Sequence, residues 1–163
     1  MTDFAMDEVA SRLGAALKAA GVMLAAAESC TGGWVAQVVT SVSGSSDWFD
    51  RGFVTYSNEA KQEMLGVAET TLAQFGAVSE ETAREMAAGA LGKSHAGIAV
   101  AITGVTGPTG GTAAKPVGMV CFAWATRSGG VESETCRFAG DRESVRRQSV
   151  VHALEGVMTR IGR

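Results

Sequence analysis

One feature above all limits what this chain can fold into: an apolar run that stops abruptly. Val22-Met23-Leu24-Ala25-Ala26-Ala27 gives way to Glu28-Ser29-Cys30-Thr31-Gly32-Gly33, after which Trp34, Val35, Val38, Val39 and Val42 recur at helical spacing. A short run without polar alternation is the pattern of a strand buried on both faces. The segment therefore predicts a strand feeding a helix through a tight turn. A serine at such a turn is exposed, the glycines admit close approach of a substrate, and the first N–H groups of the helix face any developing negative charge. Capping the helix is the ordinary work of Ser29 or Thr31 at such a place, and this segment alone leaves both roles open.

A second strand-to-helix junction follows. Phe53-Val54-Thr55-Tyr56 reads as a strand, and Ser57-Asn58-Glu59-Ala60-Lys61 opens a helix with Ser57 or Asn58 as N-cap. Lys61 then falls in or just past the first turn, where the positive end of the helix dipole opposes an ammonium and burial opposes it further. A lysine so placed is pushed toward the neutral amine, the form that takes a proton from a hydroxyl. Tyr56, the only tyrosine in the chain, stands nearby to steady that proton. A third apolar run, Ala96-Gly97-Ile98-Ala99-Val100-Ala101-Ile102, feeds the loop Thr103-Gly104-Val105-Thr106-Gly107-Pro108-Thr109-Gly110-Gly111-Thr112. Its hydroxyls and N–H groups suit a polar or phosphorylated ligand, yet it carries no P-loop ending and no following helix pattern. Ligand loop and plain connection remain equally compatible with its composition.

The remaining pattern fills in an α/β architecture. An amphipathic helix spans Met6 to Ala20 and stops at Gly21; a short helix lies near Thr70 to Gln74; Ser79 caps a longer one carrying Ala83, Met86, Ala87, Ala90 and Leu91. Val117 to Thr126 and Val131 to Phe138, joined through Ser128-Gly129-Gly130, read as a hairpin. Asp141 caps a last helix with Val150, Leu154, Val157, Met158 and Ile161 along one stripe. The expected fold is a single-domain three-layer α/β/α arrangement over residues 1–163, with a mixed, mostly parallel sheet and a late antiparallel hairpin.

Charge and cysteine usage exclude several functions. A formal net charge of −3 with no run of Lys or Arg makes a poor nucleic-acid binder, so none is expected as a partner. No segment reaches the roughly 18 unbroken apolar residues of a membrane span, and Met1-Thr2-Asp3 lacks the charged start of a signal peptide. A cytoplasmic protein without membrane association is the expectation. Cys30, Cys121 and Cys136 are spaced as neither a disulfide framework nor a zinc pattern, and Cys121 and Cys136 read as ordinary buried thiols in strands. Cys30 beside Ser29 is a rival nucleophile if His95 or His152 approaches it; Lys61 favours serine because it supplies a base without either histidine. Trp34 and Trp48, taken as exposed, suit a subunit contact, and a homo-oligomer is expected.

These segments in this order resemble the C-terminal domain of the competence/damage-inducible protein CinA, and most of all the family's stand-alone nicotinamide-nucleotide amidases. The resemblance rests on Ala27-Glu28-Ser29-Cys30-Thr31-Gly32-Gly33, Gly52 to Lys61, Gly76-Ala77-Val78-Ser79, Thr103 to Pro108, Lys115-Pro116-Val117-Gly118 and Gly140-Asp141-Arg142, and it spans roughly residues 5 to 160. It implies hydrolysis of the carboxamide of nicotinamide mononucleotide to nicotinic acid mononucleotide and ammonia, with no metal or other cofactor. The family's serine nucleophile maps to Ser29, its lysine base to Lys61 and its assisting tyrosine to Tyr56. Cys30, Thr31, Gly32 and Gly33 would surround the reacting group, and Thr103, Gly104, Thr106, Gly107 and Arg142 the rest of the substrate. Thr106 departs from the alanine usual in that loop. Members with a further N-terminal domain carry activities not expected of this chain. The alternatives are a nucleotide-binding module without catalysis and an amidase for a related pyridine amide.

Overall fold

Alternation between small and bulky residues along the central strands decides how the layers stack. The structure, a computed structural model, describes residues 4–161, so Met1-Thr2-Asp3 lies outside the described residues. In β1 (Leu24–Glu28), Ala25 and Ala27 face one side and Leu24 and Ala26 the other. In β3 (Ile98–Gly104), Ala99 and Ala101 share the first side, and Ile98, Val100 and Ile102 the second. In β4 (Met119–Thr126), Cys121, Ala123 and Ala125 oppose Val120, Phe122 and Trp124. One face of the sheet is thus almost entirely alanine and the other is aliphatic and aromatic.

Helices cover both faces, as the apolar strands require. On the bulky side lie α1 (Phe4–Ala20), α2 (Trp34–Thr40) and α6 (Arg142–Met158), contributing Leu13, Leu17, Val35, Val39, Val150 and Leu154 to one core. On the alanine side lie α3 (Asn58–Leu65), α4 (Glu69–Phe75) and α5 (Glu80–Gly92), contributing Leu65, Leu72, Ala83, Met86, Ala87 and Ala90. Small residues on both partners bring α5 close to the sheet. Gly89 of α5 also sits directly against α3: a Cβ there would lie 1.9 Å from the Leu65 carbonyl oxygen. Only glycine permits that approach.

The sheet runs β2-β1-β3-β4-β5, with β2 (Phe49–Val54) and β5 (Gly130–Arg137) at its edges. β1 pairs in parallel with β2 and β3, while β4 is antiparallel to β3 and to β5. Four of the five strands therefore share one direction and only β4 opposes them, which matches the mixed, mostly parallel expectation. The registers Glu28–Val54 and Glu28–Ile102 bring the carboxyl ends of β1, β2 and β3 to one edge. Ligands of open α/β sheets bind beyond such ends.

Four expectations need correction. β2 starts at Phe49 and ends at Val54, ahead of the expected Phe53 to Tyr56, because Asp50 and Arg51 on this edge strand mask the apolar signal. Trp48 is not exposed: it is 3 % accessible, its ring lying where a Cβ on Gly14 of α1 would stand. Trp34 is half-buried under the guanidinium groups of Arg146 and Arg147. Cys136, expected to be buried, is partly exposed.

Candidate active site

The strand ends place Ser29 and Lys61 together. Ser29 follows β1, and its N–H donates to the Ile102 carbonyl of β3 at 3.0 Å, which holds the turn against the neighbouring strand. Ser57 caps α3 by accepting from the Ala60 N–H at 3.0 Å, so Lys61 stands in the fourth helical position. From there its side chain runs inward. Nζ lies 2.8 Å from the Thr55 carbonyl oxygen and 3.1 Å from Ser29 Oγ, and the residue is only 2 % exposed. Burial lowers its pKa below the ordinary lysine value, with the nearby Cys30 acting weakly in the opposite sense. With the Thr55 carbonyl accepting one N–H, a neutral amine keeps its lone pair for the serine hydroxyl.

Glu28 explains how the turn is held. Its carboxylate, 1 % exposed, accepts from Thr31 Oγ1 at 2.6 Å, from the Val35 N–H at 2.9 Å and from the Ala36 N–H at 3.1 Å. Gly33, at φ 99°, offers no side chain to cap α2, so the carboxylate at the end of β1 does the capping instead. From the other side, Arg146 of α6 donates to the Cys30 carbonyl and the Thr31 carbonyl, both at 3.1 Å. With these carbonyls turned toward Arg146, the Cys30 and Thr31 N–H groups donate to no backbone acceptor among the described residues. Of the two residues, Cys30 lines the cavity beside Ser29, whereas Thr31 is fully buried.

Around the pair lies a cavity of about 330 Å³ lined by Ser29, Cys30, Tyr56, Asn58, Lys61, Ala77, Val78, Arg142 and the loop from Thr103 through Gly110. Of the residues singled out in the sequence, it gathers Ser29, Cys30, Tyr56, Lys61, Thr103, Gly104, Thr106, Gly107 and Arg142. Thr31, Gly32 and Gly33 do not line it: Thr31 is buried against Glu28, and the glycines shape the turn behind. Thr103 Oγ1 donates to the Ala77 carbonyl at 2.8 Å, which anchors the strand end. Gly107 is needed at φ 80°, with Val117 where a Cβ would sit. Thr106 is 5 % exposed, so its extra hydroxyl is turned largely inward. Asn58, read from the sequence only as a cap, contributes to the lining, and Glu28 and Arg146 were missed as supports.

The two remaining assignments gain definition. Tyr56 is 61 % exposed, and its hydroxyl accepts from Arg142 at 3.2 Å; among the described residues it bonds neither Ser29 nor Lys61. Arg142 also donates to the Gly107 carbonyl at 2.8 Å, bridging the loop and the end of the second junction. Cys30 is 6 % exposed, and burial pushes its thiol pKa up to about 12. Neither histidine serves it: His95 is exposed near Asp50, and His152 Nε2 lies 3.5 Å from Cys136. The rival Cys–His pair is therefore absent. A larger open depression of about 640 Å³, lined by Phe75, Glu80, Arg84, Lys115 and Ser133 among others, pairs no serine hydroxyl with a lysine amine: Ser133 donates to Glu80 and Lys115 to the Phe75 carbonyl.

With this geometry in view, the comparisons are decisive about kinship. The family model described as the CinA C-terminal domain matches residues 6–161. The chain belongs to the CinA C-terminal domain family. It is 56 % identical over 156 residues to the nicotinamide-nucleotide amidohydrolase PncC of Escherichia coli strain K12, covering 95 % of this chain and 94 % of that protein. The PncC of Pseudomonas putida is 51 % identical over 150 residues, covering 92 % and 93 %. Among solved structures, the competence/damage inducible protein CihA from Agrobacterium tumefaciens superimposes with a TM-score of 0.95 at 46 % identity, covering 98 % of this chain and 97 % of its own. No helix among the described residues is long and apolar enough to cross a membrane.

Proposed function

We propose that this protein hydrolyses the carboxamide of nicotinamide mononucleotide to nicotinic acid mononucleotide and ammonia, with Ser29 as nucleophile and Lys61 as general base. The observation that carries the reading is the buried Lys61 Nζ at 3.1 Å from Ser29 Oγ, its charge disfavoured by burial. Relatives above half identity, both nicotinamide-nucleotide amidohydrolases by name, support the substrate class.

In the first half-reaction the neutral Lys61 amine takes the Ser29 proton as Oγ bonds to the carboxamide carbon. The oxyanion lies against the Cys30 N–H, and the C–N bond breaks as Lys61 returns the proton to the departing ammonia. In the second, water attacks the ester carbon, gives its proton to Lys61, and Ser29 is released when that proton comes back. The cavity of about 330 Å³ is at the small end of ligand pockets and suits the pyridine carboxamide. Arg142 is the one cation besides Lys61 among the residues that line the cavity, and it suits a 5′-phosphate. Tyr56 holds Arg142 and so acts on the substrate rather than as a proton relay. A cytoplasmic location and a homo-oligomeric state go with this reading.

Ammonia release from nicotinamide mononucleotide by the purified protein tests the proposal, alongside the Ser29→Ala variant. Release by the wild type and its loss in the variant support it. Tight binding of the nucleotide without release would mean a binding module, and faster release from another pyridine amide would move the substrate assignment.

A further inference from the structure

Away from the Ser29 cavity, three side chains of different chemistry converge between β5 and α6. Glu134 and Cys136 stand two apart on edge strand β5, hence on the same face, and His152 points at them from the middle of α6. One ligand atom from each lies within 4.8 Å of the other two. His152 Nε2 is 3.5 Å from Cys136 Sγ and also meets Glu134 Oε1. The imidazole is held in place by packing, its centroid 4.6 Å from that of Phe122 and 6.0 Å from those of Trp124 and Phe138. The site is three strands from β1, roughly 14 Å at about 4.8 Å per strand.

One hydrogen bond, from the imidazole to Glu134, leaves Cys136 Sγ only a weak second neighbour of the same nitrogen. Nε2 of a neutral imidazole carries either one proton or one lone pair, yet it faces a carboxylate oxygen and a sulfur at once. A cation between them would use all three as acceptors. The sulfur–nitrogen distance suits one: with Zn–S of about 2.3 Å and Zn–N of about 2.0–2.1 Å at a tetrahedral angle, the two stand about 3.5 Å apart. Glu134 Oε1 lies too near Nε2 to share an ion as placed, so the carboxylate swings outward by a side-chain rotation when the ion enters. Thiolate, imidazole and carboxylate together select a borderline-soft divalent ion over magnesium or calcium. The side chains of His152 and Glu134 are 33 % and 43 % exposed, so an ion reaches them from solvent and a fourth position stays open to water.

The geometry points to a divalent transition-metal site, with zinc as the best-matched ion, formed by Glu134, Cys136 and His152. It ties the edge strand β5 to α6, and it plays no part in the Ser29–Lys61 chemistry. The residue numbers 134, 136 and 152 make no familiar zinc spacing, which is why the sequence does not announce it.

Titrating the full chain with cobalt(II) tests this, because a thiolate ligand gives an intense sulfur-to-metal charge-transfer absorption. The expected result is one equivalent of cobalt bound with that band, bleached when zinc is added. Cys136→Ser abolishes the band, while Cys121→Ser, on the opposite face of the sheet, leaves it intact. Glu134→Gln keeps the band and weakens binding by about tenfold or more, in line with the sensitivity of metal sites to their supporting groups. His152→Gln risks the aromatic packing, so the near-isosteric Cys136→Ser is the deciding variant. No band at stoichiometric cobalt in the folded wild type, or a band unchanged in Cys136→Ser, overturns the proposal; failure of zinc to bleach it overturns zinc as the occupant.

Discussion

The two faces of the sheet are built on opposite principles, and the candidate site lies where they meet. On the bulky face, Val100, Ile102, Phe122 and Trp124 interdigitate with α1, α2 and α6, filling space with large side chains. On the alanine face, Ala25, Ala27, Ala99, Ala101, Ala123 and Ala125 let α5 approach closely, and α3 rides on α5 through Gly89. The bulky face fixes the nucleophile, since Glu28 caps α2 and Arg146 of α6 clamps the turn after Ser29. The alanine face delivers the base, since α3 carries Lys61. One face is a support for a rigid turn; the other sets how near a helix, and its amine, can come.

The most severe way to break this division is to delete either contributor. Ser29→Ala is expected to remove nearly all ammonia release, and Lys61→Met to lower kcat by about 10²–10⁴-fold, the usual worth of a positioned acid or base. Folding should survive both, because Met fills the buried stem of Lys61 without its charge. If Cys30→Ala loses turnover and Ser29→Ala keeps it, the nucleophile has been misassigned.

Next comes pH. The Lys61 pKa is held below its ordinary value by burial, so the amine is protonated and inactive at low pH and kcat/KM rises as pH passes upward through that lowered value. On the acid limb the rate should change about tenfold per pH unit, since each pKa unit corresponds to about 1.4 kcal/mol. Stability follows the same sign: between the folded and unfolded lysine pKa values the unfolded chain binds more protons, so stability rises with pH across that window. In Lys61→Met, denaturant midpoints measured across the same range should lose that contribution. A wild-type rate that is flat from neutral to alkaline pH while falling only with carboxylate protonation would sink the amine as base.

A paired glycine test separates the faces directly. Gly89→Ala pushes a Cβ onto the Leu65 carbonyl of α3, and Gly156→Ala pushes one onto the Trp124 ring at 2.2 Å. Overpacking of this kind costs typically about 1–3 kcal/mol, and denaturant melts should show comparable losses for both. Gly89→Ala should reduce kcat in the folded protein more than Gly156→Ala, because it moves the helix that bears Lys61 at its seat, while Gly156 lies at the far end of α6 from Arg146. Equal kcat in the two variants would show that α3 is positioned by something other than its seat on α5.

Much of this arrangement was legible in the chain because it is local. Strand, turn and cap are written in neighbouring residues: Ser57, Ser79 and Asp141 each cap the helix that the sequence suggests, and Lys61 falls on the helix it predicts. What was hidden depends on contacts far apart in sequence. The alanines of β1, β3 and β4 read only as apolar until α5 is laid on them. Trp48 is buried because Gly14, in a different element, leaves room for its ring. The roles of Glu28 and Arg146 appear only once α2 and α6 flank the same turn. Cys136 and His152 come together because α6 crosses the hairpin.

The smallest expected effects concern the rim, where neither face dominates. Arg142 is exposed and joins Tyr56 of the second junction to Gly107 of the third loop. If it also meets the substrate phosphate, Arg142→Ala loses a charge-assisted contact worth about 1.5 kcal/mol or more, so KM for the mononucleotide should rise about tenfold while KM for the unphosphorylated riboside stays nearly constant. Tyr56→Phe removes only the hydroxyl that positions Arg142, and its effect should be a smaller change in the same direction, with kcat nearly unchanged. The riboside comparison decides the matter. Equal losses with both substrates would show that Arg142 holds the loop rather than reading the phosphate. A kcat loss in Tyr56→Phe as large as that in Lys61→Met would return the tyrosine to the proton transfer itself, against the exposed, Arg142-bound position of its hydroxyl.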